Sequence, residues 1–140
     1  MEAIQQRGGA RLLGVSNVTV EQLQSLCRQA RIQPRFVQNR CRATQGWDRS
    51  ARRFCNDHGI VYQGFSLLTA NREALSRPAI REIAQAYGRP IPQIVFRFAI
   101  EVGMIPLTGT SSADHMRMDL GSLDFELKGE DVDRIETIIT

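Results

Sequence analysis

The sequence predicts an α/β fold in which four parallel strands alternate with helices, a (βα)4 array. Two observations carry this reading. Four apolar runs end in small or polar residues: Leu12-Leu13-Gly14-Val15-Ser16-Asn17, Phe36-Val37-Gln38-Asn39, residues 62–68 and residues 104–110. An amphipathic helical stretch follows each, which is the connection parallel strands need. The second observation is length. The chain has 140 residues, enough for one domain with a real core, whereas a complete (β/α)8 barrel takes roughly 200 to 250. The chain can therefore be at most half of such a barrel. No low-complexity stretch or linker divides it, so residues 1–140 are expected to form a single domain.

The elements follow in order. Behind the first strand, Thr19-Val20-Glu21-Gln22 has a hydroxyl three residues before a Gln, a capping box that places a helix start near Val20. Val20, Leu23, Leu26, Cys27 and Ala30 recur at three- and four-residue steps on one face, and Pro34 is expected to end the helix. Trp47, Ala51, Phe54, Cys55 and His58 form the stripe of the second helix, which Gly59 stops and which leaves His58 as a helix-end residue rather than a ligand. The third connection divides at Gly88-Arg89-Pro90 into helices over 79–87 and 92–102, the second turning Ile94, Val95, Phe98 and Val102 inward. Ser112-Ala113-Asp114 starts a short helix. Glu130-Asp131 open a final one, where their charge complements the helix dipole, and Val132, Ile135, Ile138 and Ile139 form its apolar side.

Composition removes several function classes. The apolar share is 42%, and no apolar stretch approaches the ~20 residues that span a bilayer, so a membrane protein is not expected. Met1-Glu2-Ala3-Ile4 lacks a basic start and an apolar signal core, and nothing argues for export. The formal charge of +3 is mild, and the arginines around Arg40 and Arg52 read as solvated faces without interleaved aromatics, so nucleic acid is not an expected partner. Cys27, Cys41 and Cys55 are odd in number and lack metal-ligand spacing, which reads as reduced packing thiols in a cytoplasmic protein.

The four strand ends, with the Ser16-Asn17 pair, Gln38, the Phe65-Ser66 step and Thr108-Gly109-Thr110 in this order, resemble the carboxyl-terminal half of the aldo-keto reductases, NADP-dependent (β/α)8 barrels that reduce aldehydes and ketones. The likeness runs over the whole chain and corresponds to strands five to eight of that barrel. The amino-terminal half has no counterpart, and the start falls inside what would be the helix before the fifth strand, as in a gene fragment or an internal start. By resemblance, Ser16, Asn17 and Gln38 would hold the nicotinamide carboxamide, whose donor and acceptor need partners of both kinds. Phe65 would stack on the nicotinamide ring in place of the usual tyrosine, and Ser66 and Leu68 would touch the pyrophosphate. Thr108, Gly109, Thr110 and Arg117 would hold the adenosine phosphates. Departures are visible here. Leu107 and Thr108 stand where the family commonly has Lys and Ser, Gly109-Thr110-Ser111 lengthens the loop, and His115 takes the place of the usual Arg. A preference for NADP over NAD is thus inherited from the family, and binding is expected to be weak.

The same resemblance locates what is missing. The family's Asp, Tyr, Lys and His tetrad comes from its first four strands, and this chain has no lysine before Lys128. Tyr62 and Tyr87 read as strand and helix packing residues, which leaves carbonyl reduction without a general acid. The expected protein is a truncated aldo-keto reductase-like half-barrel, with no catalytic residue of its own and no metal site. Leu12-Leu13 and Met104-Ile105 would lie on unpaired edges, and the apolar strand residues would face an open interior. Such surfaces call for cover, by a second copy in a homo-oligomer or by a chain supplying the missing half. Two alternatives remain open at this point, an interaction protein that binds no nucleotide and one half of a split active reductase.

Overall fold

A computed structural model describes residues 1–139. A short helix, α1 (Glu2–Gln6), precedes β1 (Gly14–Ser16), α2 (Val20–Gln29), β2 (Phe36–Arg40), α3 (Arg49–Asp57) and β3 (Val61–Phe65). Three helices then run before the last strand: α4 (Arg72–Leu75), α5 (Pro78–Tyr87) and α6 (Ile91–Glu101). After β4 (Met104–Pro106) come α7 (Ala113–Leu120) and α8 (Gly129–Glu136). The strands form one parallel sheet in the order β1-β2-β3-β4, so the expected α/β half-barrel is the observed architecture.

Local chemistry accounts for the helix ends. The capping box on α2 is complete, with the Gln22 N–H donating to Thr19 Oγ1 at 3.3 Å and the Thr19 N–H to Gln22 Oε1 at 2.9 Å. α2 stops at Gln29, before Pro34 is reached. The Gln33 amide donates to the carbonyls of Cys27 and Ala30, and Glu2 accepts the N–H groups of Arg31 and Ile32, so side chains end the helix ahead of the proline. Trp47 also departs from expectation. It sits before α3, at the end of a 3₁₀ segment (Ala43–Asp48), where Trp47 and Asp48 adopt φ of 53° and 56°. The sequence carries no signal for α4, because four residues are too few to show a helical period.

Register sorts the strand residues into two faces. Val15, Val37, Tyr62 and Met104 pair across the sheet, as do Ser16, Gln38, Gln63 and Ile105. Neighbouring residues on a strand point to opposite sides, so these rows lie on opposite faces. Val37, Tyr62 and Met104 are buried in the core with Leu23, Trp47 and Phe98, which identifies their face as the one against the helices. Gly64 shares it and is tightly packed: a Cβ there would stand 2.8 Å from Met104 Sδ. The opposite, open face carries Ser16, Gln38, Arg40, Gln63, Phe65 and Ile105. The expectation that the apolar strand residues face an open interior is therefore corrected: Val37, Tyr62 and Met104 pack on the helices, while Phe36, Val61 and Ile105 share the open face with polar residues. Exposed apolar surface concentrates at the edges, with Leu12 at 54% and Ile105 at 47%, and on Leu120 and Leu123 beyond β4.

Two substitutions separate core from cap. Phe98→Ala should cost about 3–5 kcal/mol in urea unfolding, because a fully buried ring tilted on Trp47 at 5.1 Å leaves a cavity. Thr19→Ala should cost only about 1 kcal/mol, the loss of one cap.

Candidate functional site

The carboxyl ends of the strands gather most of the sequence-predicted residues. A cleft of about 390 Å³ between the ends of β3 and β4 is lined by Phe65, Ser66, Leu68, Thr108 and Gly109, with Leu67, Thr69, Leu107 and Phe96 completing the wall. Ser66 has φ of 59°, a left-handed conformation uncommon for a residue with a side chain and one that collects at functional sites. Asn17, at the end of β1, has φ of 55°.

Ser16, Asn17 and Gln38 form a second cluster, on β1 and β2. Ser16 Oγ donates to the Gln38 carbonyl at 2.8 Å, and the Asn17 amide donates to Ser16 Oγ at 3.2 Å. The Asn17 N–H also reaches the Gln38 carbonyl, at 3.0 Å. These bonds fix the backbones and orient the two small side chains. The Gln38 amide is half-buried on the open face and shows no side-chain hydrogen bond among the described residues, so its donor and acceptor remain available.

The third cluster, beyond β4, is less suited to phosphate. Thr108 Oγ1 donates to Asp119 Oδ2 at 2.9 Å, which sets a carboxylate beside the loop. Arg117 pairs with Asp114 at 2.7 Å on the exposed side of α7. Thr110 Oγ1 accepts from the Ser112 N–H and lies 3.5 Å from His115 Nδ1. Thr108, Gly109 and Thr110 therefore stay together, while Arg117 is turned to its own helix.

Residues outside the sequence-predicted set support these clusters. Asp48 Oδ2 accepts from Asn39 Nδ2 at 2.8 Å and from the Tyr62 hydroxyl at 2.6 Å. Asn39 in turn exchanges bonds with both the N–H and the carbonyl of Val18, directly after Asn17. The buried Asn71 donates to the carbonyls of Cys41 and Leu67 and accepts the Ala43 N–H, tying the loop after β2 to the one after β3. Asn39 ends the second apolar run as a polar residue beside Gln38, which is the one signal available. Asp48 and Asn71 had none.

Neither tyrosine faces the strand-end clefts. Tyr62 belongs to the helix-facing row, and burial, first of all, pushes its phenol well above the ordinary range. The Tyr87 hydroxyl donates to Asp131 and accepts the Lys128 N–H at the start of α8. Cys41 and Cys55 lie in the core, and burial pushes both thiols up to about 12. Among the described residues no cluster of His, Cys, Asp and Glu has metal-binding composition, and no helix is long and apolar enough to cross a membrane.

With this geometry in view, the profile of the Aldo/keto reductase family matches residues 1–140. An NAD(P)H-dependent 6'-deoxychalcone synthase of Glycine max is 31% identical over 99% of this chain and 45% of its own length. Glyoxal reductase of Bacillus subtilis is 26% identical over 99% of the chain and 49% of its own. The chain thus spans about half the length of the curated relatives it matches. Among solved structures, an aldo-keto reductase from a Medee basin deep-sea metagenome library superposes with a TM-score of 0.87 at 24% identity, over 98% of this chain and 51% of that one. An aldo-keto reductase complexed with NADPH gives 0.86 at 20% identity, over 98% and 45%.

Burial of Tyr62, Cys41 and Cys55 carries a pH signature. Their folded-state pKa values lie above those of the unfolded chain, so this contribution to stability is complete below about pH 9, the ordinary thiol range. It falls as the pH rises toward 12, because the unfolded chain then releases protons that the folded chain retains. Urea midpoints should hold up to about pH 9 and then drop as the pH rises toward 12. The double variant Cys41→Ala, Cys55→Ala should flatten the drop, and an unchanged midpoint in the native protein would contradict it.

Proposed function

This chain belongs to the Aldo/keto reductase family, and we propose that it is a nicotinamide-nucleotide-binding half-barrel, NADP being the family's cofactor, that does not reduce carbonyls by itself. The observation carrying this reading is the strand-end surface. Eight of the ten candidate residues fall in two groups there: Phe65, Ser66, Leu68, Thr108 and Gly109 line one cleft, and Ser16 and Asn17 lie hydrogen-bonded to Gln38. The nicotinamide end fits its group. The Gln38 amide offers a donor and an acceptor, and Ser16 and Asn17 stand beside it, as a primary carboxamide requires. A reduced nicotinamide, when bound, supplies hydride.

The adenosine end fits less well. Asp119 beside Thr108 opposes a phosphate, and Arg117 is already paired, so affinity rests on the open face and on backbone N–H groups of the loop from Thr108 to Thr110. The positions of the two tyrosines support the second half of the proposal. Tyr62 faces the helices and Tyr87 lies at α8, so neither phenol can protonate a carbonyl held over the open face.

A second reading, an interaction half-barrel, is favoured by one specific feature. A largely apolar groove of about 630 Å³ runs along β4, lined by Ile105, Met116, Leu120 and Leu123. Together with Leu12 at the β1 edge it presents surface that a second copy, or a chain with the complementary half, would cover. We propose self-association through these edges.

NADPH titrated calorimetrically into the native chain should bind weakly, and Asn17→Ala should cost about 1–2 kcal/mol of that binding. No heat and no thermal shift at millimolar nucleotide would give the interaction reading first place. The chain with NADPH and a panel of aldehydes should show no turnover, and a rate near ~1 per second would overturn that half of the proposal. Solution mass at high micromolar concentration should exceed that of the monomer. A monodisperse monomer would remove self-association.

A further inference from the structure

We infer that Arg40 makes the nicotinamide end of this site selective for the reduced, uncharged ring over the oxidised, cationic one. The inference rests on the nucleotide-binding reading above and concerns a residue that the sequence reads only as part of a solvated face.

Arg40 is the last residue of β2 and the register partner of Phe65 on β3, so both side chains stand on the open face, one step beyond Gln38. Its guanidinium carbon lies 5.5 Å from the centroid of the Phe65 ring. Its backbone N–H reaches Asn17 Oδ1 at 3.4 Å, which ties the residue to the carboxamide cluster as well. Adjacent strands are about 4.8 Å apart. A ring stacked on Phe65 with its carboxamide at Ser16 and Gln38 must therefore cross β2 beside Arg40.

The charge there is not neutralised. Among the described residues no carboxylate forms an ion pair with Arg40. Glu21 and Asp48 line the neighbouring polar cleft together with Arg40 and Arg42, so the local balance is two carboxylates against two guanidiniums. Asp48 is already held by Asn39 and Tyr62, and Arg40 leans on the aromatic ring instead. The oxidised nicotinamide bears a formal positive charge on its ring and the reduced form does not. Two like charges a few ångströms apart repel by enough to change affinity about fivefold even in a watery setting. The phosphates and sugars are common to both redox forms, so Arg40 acts on the difference between them through ring charge alone.

The test compares affinities for NADPH and NADP⁺ by calorimetry in the native chain and in two variants. The native chain should bind NADPH about fivefold more tightly. Arg40→Gln should bring the ratio close to one, while Arg40→Lys, which keeps the charge, should retain most of it. Arg40 is exposed, so matching thermal unfolding curves are expected for all three proteins. The fragment 2'-phospho-ADP-ribose, which lacks the ring, should bind all three alike. A ratio that is the same in the native chain and in Arg40→Gln overturns the inference while leaving nucleotide binding standing. No binding of either dinucleotide or of the fragment at millimolar concentration overturns both.

Discussion

The carboxylate of Asp48 is the constraint on which the strand-end geometry depends. It accepts from Asn39 on β2 and Tyr62 on β3, and Asn39 passes the connection on to Val18 after β1. One acidic side chain thereby ties three of the four strand units from the helix side, while the open side stays free. Bonds to a charged acceptor are stronger than neutral ones, and partial burial sharpens their geometry. The cost is local. Trp47 and Asp48 must both take left-handed backbone conformations to bring the carboxylate into place.

That strained step is held from the other side by Arg52. The buried guanidinium donates to the Trp47 carbonyl at 2.8 Å and the Val102 carbonyl at 3.0 Å, and it also pairs with Glu136 at the end of α8. Trp47 closes the circuit, its indole N–H donating to the Ile135 carbonyl at 2.9 Å. The final helix is thus fastened to the segment before α3 by the indole hydrogen bond and to α3 by the ion pair, while the Trp47 ring packs on Phe98 of α6. A buried pair of this kind is worth little over an apolar replacement but is costly to break on one side. It serves here to set where α8 and the kinked segment meet.

The two faces of the sheet divide the protein's work. Val37, Tyr62 and Met104 carry the packing against the helices, and Ser16, Gln38, Gln63, Arg40 and Phe65 carry groups that can meet a ligand. Apolar surface at β4 and Leu12 is confined to the edges, where a further strand and helix would lie in a closed barrel. The strand-end cleft and the apolar groove share Phe96, Thr108 and Gly109, so the two surfaces meet at the loop after β4.

The sequence by itself determined the order of strands and helices, the capping box at Thr19, the stop at Gly59, the break at Gly88 and the strand-end polar residues. Each depends on spacing within a few residues, and that spacing is printed along the chain. Only the tertiary structure decided which row of each strand meets the helices, because a pleat exposes both parities equally until neighbouring strands and helices select one. It alone decided that Arg117 would turn to Asp114 and Thr108 to Asp119, choices made between side chains that a linear motif places side by side without orienting. Arg40 over Phe65, Asp48 under β2 and β3, and Asn71 across two loops are likewise contacts between segments distant in sequence, set by where the folded chain brings their backbones together.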